Sequence, residues 1–165
     1  MLLAIDVGNT NIVVGLYDLT PGPGFGAGAG SDDARKRAGD LRDRSGLKAH
    51  FRLETRQTRT SDEYAALLAP LFQMAGFSFS MVSATIVSTV VPPAQFSIER
   101  FCVDHLGRAP LWVGPGIKTG ISILVDNPRE VGADRIVNAV AAHARWAQGA
   151  VIVDFGTATT FDVIT

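Results

Sequence analysis

Two short segments far apart in the chain carry the same kind of chemistry. Asp6-Val7-Gly8-Asn9-Thr10 follows the apolar run Leu2-Leu3-Ala4-Ile5, and Asp154-Phe155-Gly156-Thr157 follows Val151-Ile152-Val153. In each, an apolar stretch ends on Asp, turns through Gly among small amide or hydroxyl residues, and re-enters an extended run, 11–17 in the first and 159–165 in the second. Both predict β-hairpins with an acidic, glycine-containing tip. Such a tip suits phosphate: Gly lets the backbone approach an anion and aim N–H groups at it, Asn and Thr add donors, and Asp can hold a hydrated Mg²⁺. One Asp-x-Gly-Asn segment is equally an ordinary hairpin turn. The repetition, each time after an apolar strand, favours the ligand reading and predicts two related lobes facing one nucleotide.

The tips need elements to position them. Segments 12–19 and 47–55 read as neighbouring strands. Thr60-Ser61-Asp62-Glu63 is a capping-box arrangement opening a helix with Tyr64, Leu67, Leu68, Leu71 and Phe72 as its buried stripe and Gly76 as its stop. Residues 84–91 read as an interior strand ended by Pro92-Pro93. A second helix follows, outlined by Ile98, Phe101, Cys102 and Leu106 and stopped by Gly107. Short strands are expected at 110–113 and 121–125, then a third helix with Ile136, Val137, Val140, Ala141 and Ala144 on one face. Three strands followed by alternating helix and strand make an α/β lobe. It is expected over 1–148, with 149–165 opening a second lobe that the chain leaves unfinished at Thr165, so that the last hairpin lacks partners for its apolar face.

Segment 21–46 differs from its surroundings. It holds 7 of the 17 glycines and the mixed-charge run Asp32-Asp33-Ala34-Arg35-Lys36-Arg37. Neither G-x-G-x-x-G nor G-x-x-x-x-G-K-[ST] is present, so this is expected to be a solvated, mobile insertion and not a nucleotide loop. Across the 165 residues, 47% apolar and 19% charged content fits a globular chain with a real core. Fifteen Lys and Arg against 16 Asp and Glu leave a net charge of −1, which argues against nucleic acid or an anionic membrane surface as partner. The single Cys102 permits no intrachain disulfide, and His50, His105 and His143 share no metal-ligand spacing. These features, with no leader or membrane span legible, predict a cytoplasmic protein.

Asp6-Val7-Gly8-Asn9-Thr10-Asn11, the segment Asp126-Asn127-Pro128-Arg129-Glu130-Val131-Gly132-Ala133-Asp134-Arg135-Ile136, and Asp154-Phe155-Gly156-Thr157-Ala158-Thr159 together resemble the type III pantothenate kinases, in the same order along the chain. The resemblance covers nearly everything but 21–46. That family, related to the Bvg accessory factor, belongs to the actin, sugar-kinase and Hsp70 superfamily. The resemblance therefore implies a ribonuclease-H-like lobe with a mixed sheet, ATP-dependent phosphorylation of pantothenate in the first step of coenzyme A synthesis, Mg²⁺ with the ATP, a monovalent cation (K⁺ or NH₄⁺), and a homodimer. By resemblance, Asp6, Val7, Gly8, Asn9, Thr10, Asn11, Ile12 and Val13 form the first phosphate loop, with Asp6 reaching Mg²⁺ through water. Thr157 meets ATP phosphate and Asp154 helps hold the monovalent cation. Gly132, Ala133, Asp134 and Arg135 contact pantothenate, with Asp134 as proton acceptor. Family members extend well past the point matching Thr165, so the 165-residue chain alone is expected to be inactive.

Each role has a plainer rival. Asp134 taken alone reads as a helix N-cap or a first-turn acid favoured by the dipole. Arg135 could pair with Glu130 at the surface, and Asp154 could accept N–H bonds within its own turn. Val125 departs from the family, many of whose members place a substrate-contacting Tyr there. It keeps open a second function, a non-catalytic nucleotide-binding regulator of the same fold. A different small-molecule kinase would share the two loops but not Gly-Ala-Asp-Arg beside Asn-Pro.

Overall fold

The computed structural model describes residues 1–18, 46–114, 117–146 and 149–165. Nearly all of the insertion expected at 21–46 therefore lies outside the described residues.

The two apolar runs of the first hairpin form β1 (Leu2–Val7) and β2 (Asn11–Tyr17), antiparallel with Val7 opposite Ile12. Alternation along both strands sends Leu3, Ile5, Val7, Ile12, Val14 and Leu16 to one face, where each is nearly inaccessible. β3 (Leu47–Glu54) adds antiparallel to β2, while β4 (Ala84–Thr89) and β5 (Leu111–Trp112) add parallel on the other side of β1. The five-stranded mixed sheet runs β3-β2-β1-β4-β5. Parallel neighbours need crossovers, and these are α1 (Ser61–Met74) and α2 (Gln95–Leu106).

Both crossover helices cover the apolar face. α1 starts as expected: Thr60 Oγ1 accepts from Glu63 N–H, and Glu63 Oε2 accepts from the Thr60 amide at 2.7 Å. Its buried side chains are Tyr64, Leu68 and Phe72, whereas Leu67 is 40% exposed, because residues three and four apart face the sheet and Leu67 stands on the flank of that stripe. α2 buries Ile98, Phe101, Cys102 and Leu106 and ends at Gly107, whose φ of 75° is the left-handed cap favouring glycine. Phe72 stacks among Phe51 and Phe79, at 5.5 and 5.1 Å between centroids. Cys102 is a packing residue: burial pushes its thiol up to about 12.

The opposite face of the sheet receives α3 (Ala133–Arg145). Ala133 and Ile136 meet Val113, with Ile86, Ile117, Ile123, Val137 and Val140 around them. The strand expected at 121–125 does not form. Gly120 turns the chain with φ of 80°, and Ile117 and Ile123 serve as apolar contacts over α3 instead. The expected α3 face is also shifted: Ala142 is buried while Ala141 and Ala144 are exposed.

β6 (Ala150–Phe155) and β7 (Thr159–Ile164) form the second hairpin, a separate two-stranded sheet. Its half-buried face holds Ile152, Asp154, Thr160 and Asp162. Its outward face is an apolar ladder of Val151, Val153, Phe155, Phe161 and Val163, between 41 and 82% exposed. Among the described residues, no helix is long and apolar enough to cross a membrane.

Candidate functional site

The two hairpin tips, 147 residues apart in sequence, meet: Thr10 Oγ1 lies 3.3 Å from Thr157 Oγ1. In each turn the glycine amide bonds inward. Gly8 N–H donates to Asn11 O at 3.0 Å and Gly156 N–H to Ala158 O at 3.1 Å, so neither glycine amide points outward. The amides of Asn9 in the first tip and Thr157 in the second have no hydrogen-bond partner among the described residues. Neither Gly8 nor Gly156 adopts positive φ. Their use is therefore the missing side chain, most clearly at Gly8, where a Cβ would stand 3.2 Å from Asn11 O.

The first tip is braced by residues that sequence reading passed over. Thr55, just past β3, donates its hydroxyl to Gly8 O at 2.7 Å and its amide to Thr10 O at 3.0 Å. Arg59 is buried, donates from Nη1 to Glu54 O at 2.8 Å and lies over the Tyr64 ring, which fixes the turn carrying Thr55. Nothing in the spacing of Thr55 and Arg59 marks them; only the register of β3 against β2 brings them to the loop.

α3 supplies the third side of the site. Gly132 is its N-cap and Asp134 lies in its first turn, so Asp134 is not the cap. Asp134 Oδ1 accepts the Arg135 amide at 2.8 Å. A Cβ on Gly132 would collide with that same Oδ1, so glycine at 132 is what gives the Asp134 carboxylate its position. Arg135 does not pair with Glu130, which accepts from Asn127 Nδ2 at 2.5 Å. Its guanidinium donates from Nε (2.8 Å) and from Nη2 to Asp162 Oδ1 on β7. Three residues on, Asn138 Nδ2 donates to Asp154 Oδ2 at 3.3 Å, in place of the turn bonds that are the plainer rival reading of Asp154. Arg135 and Asn138 thus tie α3 to both strands of the second hairpin. One helical turn separates them, which makes the pair readable only once the helix is known.

The Asp6 carboxylate stands close enough to Asp134 and Asp154 to feel the charge of both. Asp6 stands at the end of β1 with its side chain accessible at the rim. Partial burial raises its pKa most, the neighbouring Asp134 and Asp154 charges raise it further, and Ser88 opposes them. The Ser88 hydroxyl favours the charged form of Asp6 without reaching hydrogen-bond geometry, and its buried Oγ has no partner among the described residues. Because the raised pKa belongs to the folded state, Asp6 takes stability away as pH rises from about 3.8 through its folded value. Asp6→Asn is therefore expected to melt slightly higher than the unaltered chain at pH 7 without divalent cations, and equally at pH 3; a lower melting temperature at pH 7 would contradict the burial and repulsion that raise the Asp6 pKa.

Several expected site residues can offer only backbone. Val7, Ile12 and Ala133 bury their side chains in apolar clusters. Val13 faces a cleft of about 430 Å³ on the α3 side of the sheet, shared with Asp6, Ile86, Ser88, Val113 and Val137. Asn9 and Asn11 are exposed at the tip, and Val125 is 46% exposed in the bend before Asn127. Among the described residues, no group of three or more His, Cys, Asp or Glu could hold a metal ion unaided.

A five-stranded mixed α/β sheet, with two glycine-containing loops meeting beside acidic side chains, is compatible with a kinase-type fold. The family model for type III pantothenate kinase matches residues 2–165, and the chain belongs to that family. It is similar to the type III pantothenate kinases of Anaeromyxobacter sp. (strain K), at 52% identity, and Syntrophotalea carbinolica, at 51%; each match covers 99% of this chain, and 55% and 54% of those relatives respectively. The one from Myxococcus xanthus is 46% identical over the same share of this chain. The chain spans about half the length of the curated relatives it matches.

Proposed function

We propose that the full gene product transfers the γ-phosphoryl group of ATP to the primary hydroxyl of pantothenate, giving 4′-phosphopantothenate for coenzyme A synthesis. The observation that carries this reading is the contact of Thr10 with Thr157, which closes the two loops over one place beside Asp6, Asp134 and Asp154. Family membership supplies the two substrates.

Phosphoryl transfer passes through a loose transition state, so the protein's work is to position groups and balance charge. The first loop, from Asp6 to Val13, and Thr157 of the second hold the phosphates through outward amides and the two hydroxyls. Asp134 takes the proton of the attacking hydroxyl, and Gly132 to Arg135 line the acceptor's place. The donor set fits a hydrated cation better than a dry cage, since among the described residues no three His, Cys, Asp or Glu side chains could hold an ion while Asp6 feels the charges of both Asp134 and Asp154. Asp6 would hold Mg²⁺ through water and Asp154 a monovalent cation such as K⁺ or NH₄⁺. Bound there, these ions would offset the negative charge of phosphates and carboxylates.

Residues 1–148 are read as a ribonuclease-H-like lobe, and 149–165 as the opening of a second, similar one. The outward apolar ladder on β6 and β7 supports this, because such a face suits a sheet with further layers against it. The full protein is proposed to be a cytoplasmic homodimer. The 165-residue chain alone is expected to lack turnover.

Gly132→Ala is expected to leave the fold intact, since the added Cβ collides only with the side-chain end of Asp134 and meets Val90 at an ordinary contact distance, but to displace that carboxylate and lower kcat by up to about 10²-fold. Unchanged kcat would show that the position of Asp134 does not matter. The reading as a whole is tested by incubating the full gene product with ATP, Mg²⁺, K⁺ or NH₄⁺ and pantothenate. Mass-spectrometric detection of phosphopantothenate is expected; nucleotide binding without product would favour the regulator.

A further inference from the structure

We propose that Asp162 is a positioning residue for the acceptor: it grips one edge of the Arg135 guanidinium and leaves the other edge, at Nη1, for an oxygen of the substrate. This rests on the kinase reading above and adds a residue that neither the loop motifs nor the family segment around Asp134 contains.

The geometry is specific. Nε and Nη2 of Arg135 both donate to Asp162 Oδ1, while Nη1 makes no hydrogen bond among the described residues. A guanidinium is a rigid planar fork, so fixing its Nε–Nη2 edge also fixes the direction of the remaining N–H groups. Asp162 suits the task because its side chain is only 15% exposed, on the half-buried face of β7, while the Arg135 side chain it holds is 38% exposed and open to a ligand. The pair is also coupled to the proposed base. Arg135 gives its own amide to Asp134 Oδ1, so a guanidinium anchored on β7 steadies the first turn of α3 on which Asp134 stands. The Asp162 carboxylate raises the Arg135 pKa further, so the head stays cationic at every working pH. Charge-assisted bonds from such a head to a carboxylate or a carbonyl are the strong kind. Pantothenate offers both, at its acid end and at its amide.

The same carboxylate could instead be a brace that only joins hairpin to helix. A brace and a positioning group differ in what they do to each substrate. In the full gene product, Asp162→Asn is expected to raise KM for pantothenate by about tenfold or more, the scale of losing one charge-assisted contact. KM for ATP and the melting temperature should stay near those of the unaltered protein. Asp162→Glu, which keeps the charge but alters reach, should recover part of the loss. Running the same variants on the alcohol analogue of pantothenate, in which CH₂OH replaces the carboxylate, separates the two candidate oxygens. A penalty confined to pantothenate assigns the acid end to Arg135, and an equal penalty on both assigns the amide; either supports the positioning role.

Parallel loss for ATP and acceptor, or a fall in melting temperature that accounts for the lost activity, would make Asp162 a brace and overturn the proposal. So would unchanged kinetics in a folded Asp162→Asn. If the unaltered protein phosphorylates neither acceptor, the kinase reading fails with it, an outcome distinct from any effect of Asp162.

Discussion

Asp134→Asn in the full gene product is expected to lower kcat for pantothenate by about 10² to 10⁴, with ATP affinity essentially unchanged. The substitution is nearly isosteric, and an amide oxygen can still accept the Arg135 N–H that now reaches Asp134 Oδ1 at 2.8 Å. The start of α3 should survive, with a loss of about 0.3–1 kcal/mol from removing negative charge at a helix N-terminus. What disappears is the only property an amide cannot supply, a site that takes up the proton of the attacking hydroxyl. A secondary effect follows from the shared neighbourhood of the carboxylates. Removing the Asp134 charge takes away one of the influences that raise the Asp6 pKa, so Asp6 should ionise at lower pH in the variant, observable by NMR titration. Turnover within threefold of normal would exclude Asp134 as the base, and would leave Asp6 and Asp154 as the carboxylates to examine.

The second large effect is expected on stability and on the far side of the sheet. Phe72→Ala should cost about 3–5 kcal/mol, because the ring is wholly buried between Phe51 and Phe79 and the gap cannot close without moving both α1 and β3. Against a total stability of about 5–15 kcal/mol, that loss unfolds a large share of molecules near physiological temperature. Chemical denaturation followed by circular dichroism measures it, and a change below about 1 kcal/mol would contradict the packing described. Phe72 lies under the face of the sheet opposite α3. The fraction that remains folded should therefore keep its kcat, which separates the two faces of the lobe in one experiment.

Much of this was legible before the structure. The β1–β2 and β6–β7 hairpins follow from short apolar runs ending in Asp and glycine-containing turns. α1 and α2 follow from a capping box, a buried stripe and a glycine stop, signals that act within a few residues of themselves. Residues 121–125 misled because a short apolar run alone does not make a strand, and here Ile117 and Ile123 pack with α3 instead. The site was legible in its motifs and not in its bonds. Asp6, Asp134 and Asp154 stand out by their loops, whereas Thr55, Ser88, Asn138 and Asp162 carry ordinary residue types at ordinary spacings. They reach the site because β3 pairs with β2 in one register, because β4 pairs with β1 so that Ser88 stands opposite Asp6, and because α3 lies against the inner face of the second hairpin. Arg135 shows the limit most plainly: Glu130, five residues away, looked a suitable partner, and the carboxylate that holds it is 27 residues away on β7.

The central claim is that two hairpin tips hold a phosphate chain while α3 presents Asp134 to the acceptor. Its most direct test is a crystal structure of the full gene product with a non-hydrolysable ATP analogue, Mg²⁺ and pantothenate. The expected result places the γ-phosphate between Thr10 and Thr157, with the primary hydroxyl of pantothenate within about 2.6–3.2 Å of an Asp134 carboxylate oxygen. A γ-phosphate bound away from the two tips, or a hydroxyl approached by Asp6 or Asp154 while Asp134 faces elsewhere, would contradict it.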